Sequence, residues 1–322
     1  MIRGMFKTAW VVTALLGSSP QNTQPPPAPA MKTVTFEGAC DASGAVVQGS
    51  WMFTVADDED NVIRVYDGKS GGGPVRTSDL SAALELPAGK KRAPETDIEA
   101  ATELPPFSFW LTSHGRKSTG KLDANRFRFF ATRTLEDGTT RLEGKPYTWL
   151  LDDLLAAPQL KGFGLSPAAT RAPKEEGGLN IEGMTAMEDG TSILIGFRNP
   201  IPQGKALTVV LLNPTELLQG KRARLGPARL LDMVEGRSKQ AFKTWLAERP
   251  QAWRDAIEVV AMDGFTGFKT AAAEELPTAV PVMDPFHVIR LAGEGLDRCR
   301  QRVQQHTLGH RGRAGDPLYR AR

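Results

Sequence analysis

The chain has 322 residues, a formal net charge of +3 at pH 7, and 40% hydrophobic and 24% charged residues. This composition is ordinary for a globular chain of one or two domains, and the near-neutral charge neither requires nor excludes a nucleic-acid partner. Its two cysteines, Cys40 and Cys299, are too few for a disulfide framework or a cysteine metal cluster, which predicts two free thiols. Because no run reaches the roughly 18 apolar residues that span a bilayer, no transmembrane segment is predicted.

Residues 1–32 have the layout of a secretory signal followed by a linker. Arg3 and Lys7 precede the short apolar run Ala9–Leu16, and residues 21–30 are rich in proline. A basic segment followed by an apolar one is typical of signals that direct export to the periplasm or the medium. The alternative is a disordered tail with a chance apolar patch on a protein that stays in the cytoplasm.

Residues 33–225 are dominated by short strand patterns separated by turns. A fair helical pattern is confined to Thr148–Ala157. Alternating or continuous apolar runs bounded by turn residues are typical of strands, so an all-β domain is predicted. The main strand candidates are Trp51–Val55, Val62–Tyr66, Phe107–Thr112, Arg126–Arg133, Ser192–Phe197 and Leu207–Leu212.

A weak internal repeat accompanies these strands. The sequence Asp-Ile-Glu-Ala-Ala-Thr (97–102) is similar to Asn-Ile-Glu-Gly-Met-Thr (180–185), and each precedes an apolar strand that ends in polar residues. Cys40–Ser43 is a candidate for an earlier copy. Units of three or four strands that recur at irregular intervals are typical of propeller blades with insertions.

Four motifs of this part resemble the bacterial family called domain of unknown function 3616, from about Phe36 to Gly226. The resemblance implies a β-propeller, often exported, and implies no activity. About three blades are present, so a partial propeller is predicted. The motifs are Gly-Ala-Cys-Asp-Ala-Ser (38–43), Asp-Ile-Glu-Ala (97–100), Asn-Ile-Glu-Gly-Met (180–184) and Gly-Phe-Arg-Asn-Pro (196–200).

Four polar residues of the repeats are candidate ligand-binding groups: Glu99, Glu182, His114 and Arg198. Matching positions in successive blades place side chains around one mouth of the channel, where propellers bind ligands. They are therefore candidates for binding an unknown small molecule in the propeller part. The favoured interpretation is structural: each glutamate caps a turn or pairs with an arginine.

In residues 226–322 the pattern of predicted secondary structure changes, and helices alternate with strands. This alternation predicts an α/β layer. The last predicted helix has an apolar stripe with arginines opposite. The predicted elements are helix Ser238–Ala247, strand Ile257–Asp263, helix Phe268–Leu276, strand Ala279–Met283 and helix Pro285–Gln305.

Asp263 and Asp284 each follow a predicted strand. Carboxylates at the carboxyl ends of neighbouring strands converge on one crevice, where they can hold magnesium for phosphoryl transfer. For Asp284 an ordinary helix cap is the alternative, because Pro285 follows it.

Three motifs of this part resemble the DDE catalytic domain of the ISL-three insertion-sequence transposases: Val-Val-Ala-Met-Asp-Gly-Phe (259–265), Glu-Leu-Pro (275–277) and Val-Met-Asp-Pro-Phe-His-Val (282–288). The resemblance implies an RNase H-like fold, a triad of acidic residues, magnesium and a DNA partner. By position, Asp263 resembles the second acidic residue of the triad and the metal ligand. Asp284 and His287 match a family motif whose role the sequence does not define.

The resemblance also implies parts that this sequence lacks. The first acidic residue is expected upstream of Ala228 and the third beyond Arg322, and no paired cysteines supply the expected zinc-binding segment. We therefore predict a mixed two-part chain: an all-β partial β-propeller over 33–225, a junction within 215–231, and a truncated α/β RNase H-like fragment over 226–322. The predicted function is a transposase-derived fusion product that is inactive, binds no magnesium stably and binds DNA weakly. The alternative is an exported propeller of ligand-binding or hydrolytic function.

Overall fold

The computed structural model describes residues 34–49, 51–87, 93–173, 175, 177–236, 238–262, 265–283 and 300–313. The chain divides after Met233 into two compact units. We call described residues 34–233 the antiparallel unit and described residues 234–313 the C-terminal unit. Among the described residues, none of the helices combines the length and the apolar character needed to cross a bilayer.

The antiparallel unit contains three four-stranded sheets, each with its strands in chain order. The first sheet is β1 (Ala42–Gln48), β2 (Met52–Asp57), β3 (Val62–Asp67) and β4 (Arg76–Asp79). The second is β5 (Ile98–Leu104), β6 (Phe107–Thr112), β7 (Phe129–Thr134) and β8 (Thr140–Tyr147). The third is β9 (Asn180–Ala186), β10 (Ile193–Asn199), β11 (Ala206–Leu211) and β12 (Leu225–Leu231), and short helices α1 (Leu150–Ala156), α2 (Leu165–Ala168) and α3 (Pro214–Leu217) connect or follow the strands.

The second sheet has an apolar core on each face. Phe109 on β6 packs in a cluster with residues of the third sheet, such as Ile195. The next residue, Trp110, packs in a different cluster with residues of the first sheet, such as Ile63. Successive side chains of a strand point to opposite faces, so β6 holds together the cores on both sides of its sheet.

The predicted fold class is wrong. Residues 34–233 form three separate antiparallel sheets with helices between them, and within the described ranges these sheets do not close into a barrel or a propeller. Content over the described chain is mixed α and β rather than an all-β partial β-propeller followed by an RNase H-like fragment. The physical reason is that turns and apolar periodicity determine strands and their hairpin neighbours, whereas closure depends on contacts between distant sheets.

The C-terminal unit alternates helices and strands, as its sequence predicts. Its elements are α4 (Lys239–Ala247), α5 (Gln251–Asp255), β13 (Val259–Met262), α6 (Thr266–Glu275) and β14 (Val280–Met283), and residues 300–308 are helical. Strands β13 and β14 pair in parallel. Leu246, Val260 and Phe268 form part of the core that holds the helices on this pair.

Candidate functional site

The first strand of each antiparallel sheet carries a bulge at a matching position. The extra residue is Ser43 in β1, Glu99 in β5 and Glu182 in β9. A bulge leaves one residue out of the hydrogen-bonding ladder and redirects its side chain. The sequence repeat around 97–102 and 180–185 therefore has a structural counterpart, and it brings a polar side chain to the same place in each sheet.

These three bulged strands lie beside one another, with β5 in contact with both β1 and β9. The Ser43 hydroxyl donates a hydrogen bond to the Ile98 carbonyl oxygen, and the Ile181 amide donates to the Ser113 carbonyl oxygen at 2.9 Å. Gly44 permits the close approach of β1, because a Cβ at this position would lie 3.1 Å from the Cβ of Ala101. The polar groups of neighbouring sheets are thereby brought within interaction distance.

Three carboxylates meet where the first and second sheets adjoin. Each of Asp58, Asp97 and Glu99 offers one carboxylate oxygen that lies within 4.8 Å of the others. Asp58 follows β2, and its amide donates to the carbonyl oxygen of Asp41 at 3.1 Å. Asp97 precedes β5 with a φ of 61°, a left-handed conformation that aspartate tolerates better than most residues. We call Asp58, Asp97 and Glu99 the carboxylate cluster.

Burial and mutual repulsion disfavour negative charge in the carboxylate cluster. Burial, followed by the charges of Asp97, Glu182 and Asp58, raises the pKa of Glu99 to about 9, against a smaller opposing effect of Arg198. Burial and then the charge of Asp41 raise the pKa of Asp58 to about 7. The cluster therefore holds protons near neutral pH unless a cation compensates the charge.

Asp97 differs from the other two because it has a cationic partner. Its Oδ2 lies 2.7 Å from Nη1 of Arg126. Burial raises the pKa of Asp97, while a hydrogen bond from Ser113 and the charge of Arg126 oppose that rise. Arg126 is shared, since its other terminal nitrogen contacts Glu95 at 2.8 Å.

Glu182 adjoins the cluster from β9 and is also paired. Its Oε1 accepts hydrogen bonds from Arg198 and, at 2.8 Å, from Nδ2 of Asn180. Its charge acts on Glu99, as does that of Arg198. The structure thus brings together three of the four residues singled out from the sequence: Glu99, Glu182 and Arg198.

His114, the fourth of those residues, is a buried group with its own local contacts. Its side chain is 1% exposed, its Nδ1 lies 2.8 Å from the carbonyl oxygen of Thr112, and its ring stacks on Phe127. Because the Thr112 oxygen can only accept, Nδ1 carries the proton, and Nε2, for which the described residues offer no hydrogen-bond partner, does not. Burial lowers the pKa of His114 to about 4, so the ring is neutral at pH 7.

The candidate residues of the C-terminal part, Asp263, Asp284 and His287, lie outside the described residues, as does Cys299. The strands before the two aspartates are described. Met262 of β13 and Met283 of β14 are paired in the parallel register, and Asp263 and Asp284 are the next residues in the sequence.

Sequence reasoning missed Asp58 and Asp97 as members of a site. The sequence repeat could have indicated Asp97, because Asp97 stands two residues before Glu99 just as Asn180 stands two residues before Glu182. Asp58 lies in an acidic turn that resembles any solvated loop. Only the contact between the first and second sheets brings it to Glu99.

Comparison with known proteins supports the C-terminal part of these expectations. No match to this chain was found among the curated proteins. Transposases of the DDE type use magnesium and act on DNA. Residues 213–322 match the model of the DDE transposase family of the ISL-three group, whose description is "Transposase". The match covers the last third of the chain, which is similar to the catalytic domain of these transposases.

Proposed function

We propose that residues 213–322 derive from a transposase catalytic domain and that this chain does not catalyse transposition by itself. The observation that carries the proposal is the position of β12. The resemblance implies a first acidic residue on a strand upstream of Ala228, but Ala228 itself lies in β12, which pairs with β11 as the fourth strand of an antiparallel sheet. Asp232, the carboxylate that follows β12, lies 3.4 Å from Lys205 of the same unit.

The chemistry of the parent family needs several carboxylates at once. Two magnesium ions activate the attacking water or 3′-hydroxyl and stabilise the leaving oxygen. Hard divalent ions need several oxygen ligands in fixed geometry. The parallel pairing of Met262 with Met283 supports a role for Asp263 and Asp284 in such a site. With the upstream strand part of another sheet, the carboxylate that this strand would supply is missing from the site, so the coordination of both ions is incomplete.

We also propose that the chain joins two units of separate origin. The change of architecture supports this proposal, since antiparallel sheets in chain order give way to a parallel strand pair with helices. The compact units divide at Met233, within the residues that match the transposase model. In this interpretation β12 is the fourth strand of the third sheet of the antiparallel unit, although its sequence belongs to the segment that matches the transposase model.

Strand cleavage and joining on DNA that carries insertion-sequence ends tests the proposal, with magnesium or manganese present. We expect no more product from the full chain than from its Asp263→Ala variant. Asp255→Ala is the matched control, because Asp255 is a surface carboxylate of the same unit whose contact is with Gln251. Cleavage that is lost in Asp263→Ala and kept in Asp255→Ala would contradict the proposal. Weak DNA binding that falls steeply with salt is compatible with it.

Ligand binding by the antiparallel unit is a second candidate function. The observation that favours it is the convergence of Glu99, Glu182 and Arg198 from two sheets on one place. We propose that this place, together with the carboxylate cluster, is the binding site. A shift of the unfolding temperature by a ligand, lost in Glu182→Gln, tests the second candidate. Absence of any such shift would contradict it.

A further inference from the structure

Strand β13 of the C-terminal unit has an open edge among the described residues. One side of β13 pairs with β14, and no other described strand adjoins it. The Val280 amide of β14 donates to the carbonyl oxygen of Glu258 at 2.7 Å, so the backbone groups of Glu258 face β14. Because successive residues of a strand direct their backbone groups to opposite edges, those of Val259 and Ala261 face the open edge. The described residues supply no hydrogen-bond partner for these donors and acceptors.

The far edge of β14 is closed by a proline. Pro281 follows Val280, whose amide faces β13, so the Pro281 nitrogen faces away from β13. Proline has no N–H group, and prolines in sheets are confined to positions where the ladder needs no donor. β14 is therefore the outermost strand on its side, and the pair can be extended only at β13.

One face of the strand pair is apolar and exposed. Val259 is 38% exposed, Val280 59% and Val282 45%. The register places Val259 beside Val280 and Ala261 beside Val282 on this face. The opposite face carries Val260, which is buried in the core with the helices. Parallel strands normally have both faces covered, so the open edge and the exposed face together indicate an interaction surface.

The open edge of β13 lacks the features that protect the outer strands of the antiparallel unit. Charged residues and prolines on an edge strand oppose pairing with another chain. Such residues occur in all three outer strands: Arg76 and Asp79 in β4, Arg141 and Lys145 in β8, and Pro227 and Arg229 in β12. Strand β13, Val259–Met262, has neither a charge nor a proline.

We propose that β13 pairs in the antiparallel direction with β13 of a second copy of this chain. A two-fold axis at Val260 places Val259 opposite Ala261 of the second copy, and Ala261 opposite its Val259. Each of these two pairs exchanges both of its N–H···O bonds, which satisfies the backbone groups of the open edge. The product is one four-stranded sheet in the order β14-β13-β13-β14.

The edge is self-complementary, which favours a second copy as the partner. In this register Glu258 lies opposite Met262 of the second copy, so like charges do not face each other across the junction. The exposed apolar faces of the two strand pairs become continuous. An isologous contact is closed, and the edges that carry Pro281 become the outermost ones, so assembly stops at the dimer.

Sedimentation of the full chain over a range of concentrations tests the contact. We expect a reversible dimer with a dissociation constant of about 100 μM or tighter. Val259→Lys should raise that constant at least about tenfold, because a lysine on an edge strand opposes pairing. Val280→Lys is the matched control: it adds the same charge to the same face but lies on β14, away from the paired edge, and should leave the constant unchanged within about twofold.

A second pair of variants acts on the backbone. Ala261→Pro removes a donor from the open edge alone and should abolish the dimer, whereas Ala261→Val keeps the donor and should preserve it. Circular dichroism verifies each fold, and the two lysine variants decide if Ala261→Pro does not fold. In the unaltered chain, hydrogen exchange at Val259 and Ala261 should slow as the concentration rises. The Val282 amide, which faces β13, should exchange slowly throughout.

Three results would overturn the proposed dimer. The first is a chain that stays monomeric over the whole range of concentrations. The second is a dimer that neither Val259→Lys nor Ala261→Pro weakens, which would use another surface. The third is slow exchange at Val259 and Ala261 in the monomer, which would show that another segment of the same chain occupies the edge.

Discussion

Arg222 donates a hydrogen bond from Nε to Oδ1 of Asp153 at 2.6 Å, which ties a residue of the transposase match to helix α1 of the antiparallel unit. The Asp153 side chain is 8% exposed. Its other oxygen accepts hydrogen bonds from the Tyr147 hydroxyl and, at 3.0 Å, from the Ala223 amide. The first residues that resemble a transposase are therefore part of the hydrogen-bond network of the preceding sheets.

Replacing Asp153 by asparagine should destabilise the antiparallel unit by about 1–3 kcal/mol. One side-chain oxygen remains, so the amide nitrogen must face either Arg222 or the donors of Tyr147 and Ala223, and the donors on that side lose their acceptor. The measurement is chemical denaturation of the full chain. Asp152→Asn, an exposed position in the first turn of the same helix, is the control and should change stability by less than about 0.5 kcal/mol. Equal effects of the two variants would contradict the role of the network.

The boundary between the units can be located by limited proteolysis with an enzyme that cuts after glutamate. Glu235 is exposed and lies two residues after Met233, the last residue of the antiparallel unit, so we expect the first cut there. Glu216 is the internal control, because it lies in α3 with Arg224 and Lys221 as partners. The sequence-based junction within 215–231 predicts instead early tryptic cuts at Lys221, Arg222 or Arg224. Tryptic cuts at these residues that appear earlier in digestion than the cut after Glu235 by the glutamate-specific enzyme would favour that junction.

Individual elements could be predicted from the sequence more fully than their arrangement. The helix predicted over Ser238–Ala247 is confirmed as α4, because a capping serine and apolar residues at helical spacing are local signals. Phe109 and Trp110 are indistinguishable in the sequence, yet they pack into different cores. Which sheet covers each face depends on contacts far apart in the chain, and these contacts also decide whether sheets close.

For the candidate site, too, the sequence predicts single residues better than it predicts which residues come together. Glu99 and Glu182 could be selected because the repeat places them at matching positions, and their bulges confirm that equivalence. Asp58 belongs to another sheet, and nothing local to residues 57–60 indicates what it contacts. His114 was selected as a polar residue after a strand, but its burial depends on the stacking partner Phe127. Local sequence thus predicts which residues recur, and the packing of sheets decides which of them converge.

Helix α4 offers a test of the C-terminal unit through its first turn. The Ser238 hydroxyl oxygen accepts a hydrogen bond from the Ala241 amide at 3.0 Å. Ser238→Ala removes the acceptor and should destabilise the helix by about 1 kcal/mol, seen as faster hydrogen exchange at Ala241. Ser238→Asp keeps an acceptor and places a negative charge at the positive end of the helix, so exchange should stay slow. Equally fast exchange in both variants would show that the cap does not stabilise α4.

His114 should make the stability of the antiparallel unit depend on pH in the acidic range. Its pKa falls from 6.5 to about 4 on folding because the ring is buried, with the charge of Arg128 acting in the same direction and the Thr112 carbonyl opposing it. Between these values the unfolded chain binds a proton that the folded chain does not, so the contribution is complete above pH 6.5 and is lost as the pH falls towards 4. The loss between pH 7 and pH 4.5 should be about 2 kcal/mol.

His114→Asn preserves a donor near the Thr112 oxygen and tolerates the φ of 51°, so it should remove that part of the pH dependence, whatever it costs at neutral pH. The free energy of unfolding, measured at both pH values, gives the slope for each chain, with the exposed His306→Asn as the control. Identical slopes for His114→Asn and the unaltered chain would mean that the buried ring takes up its proton without unfolding.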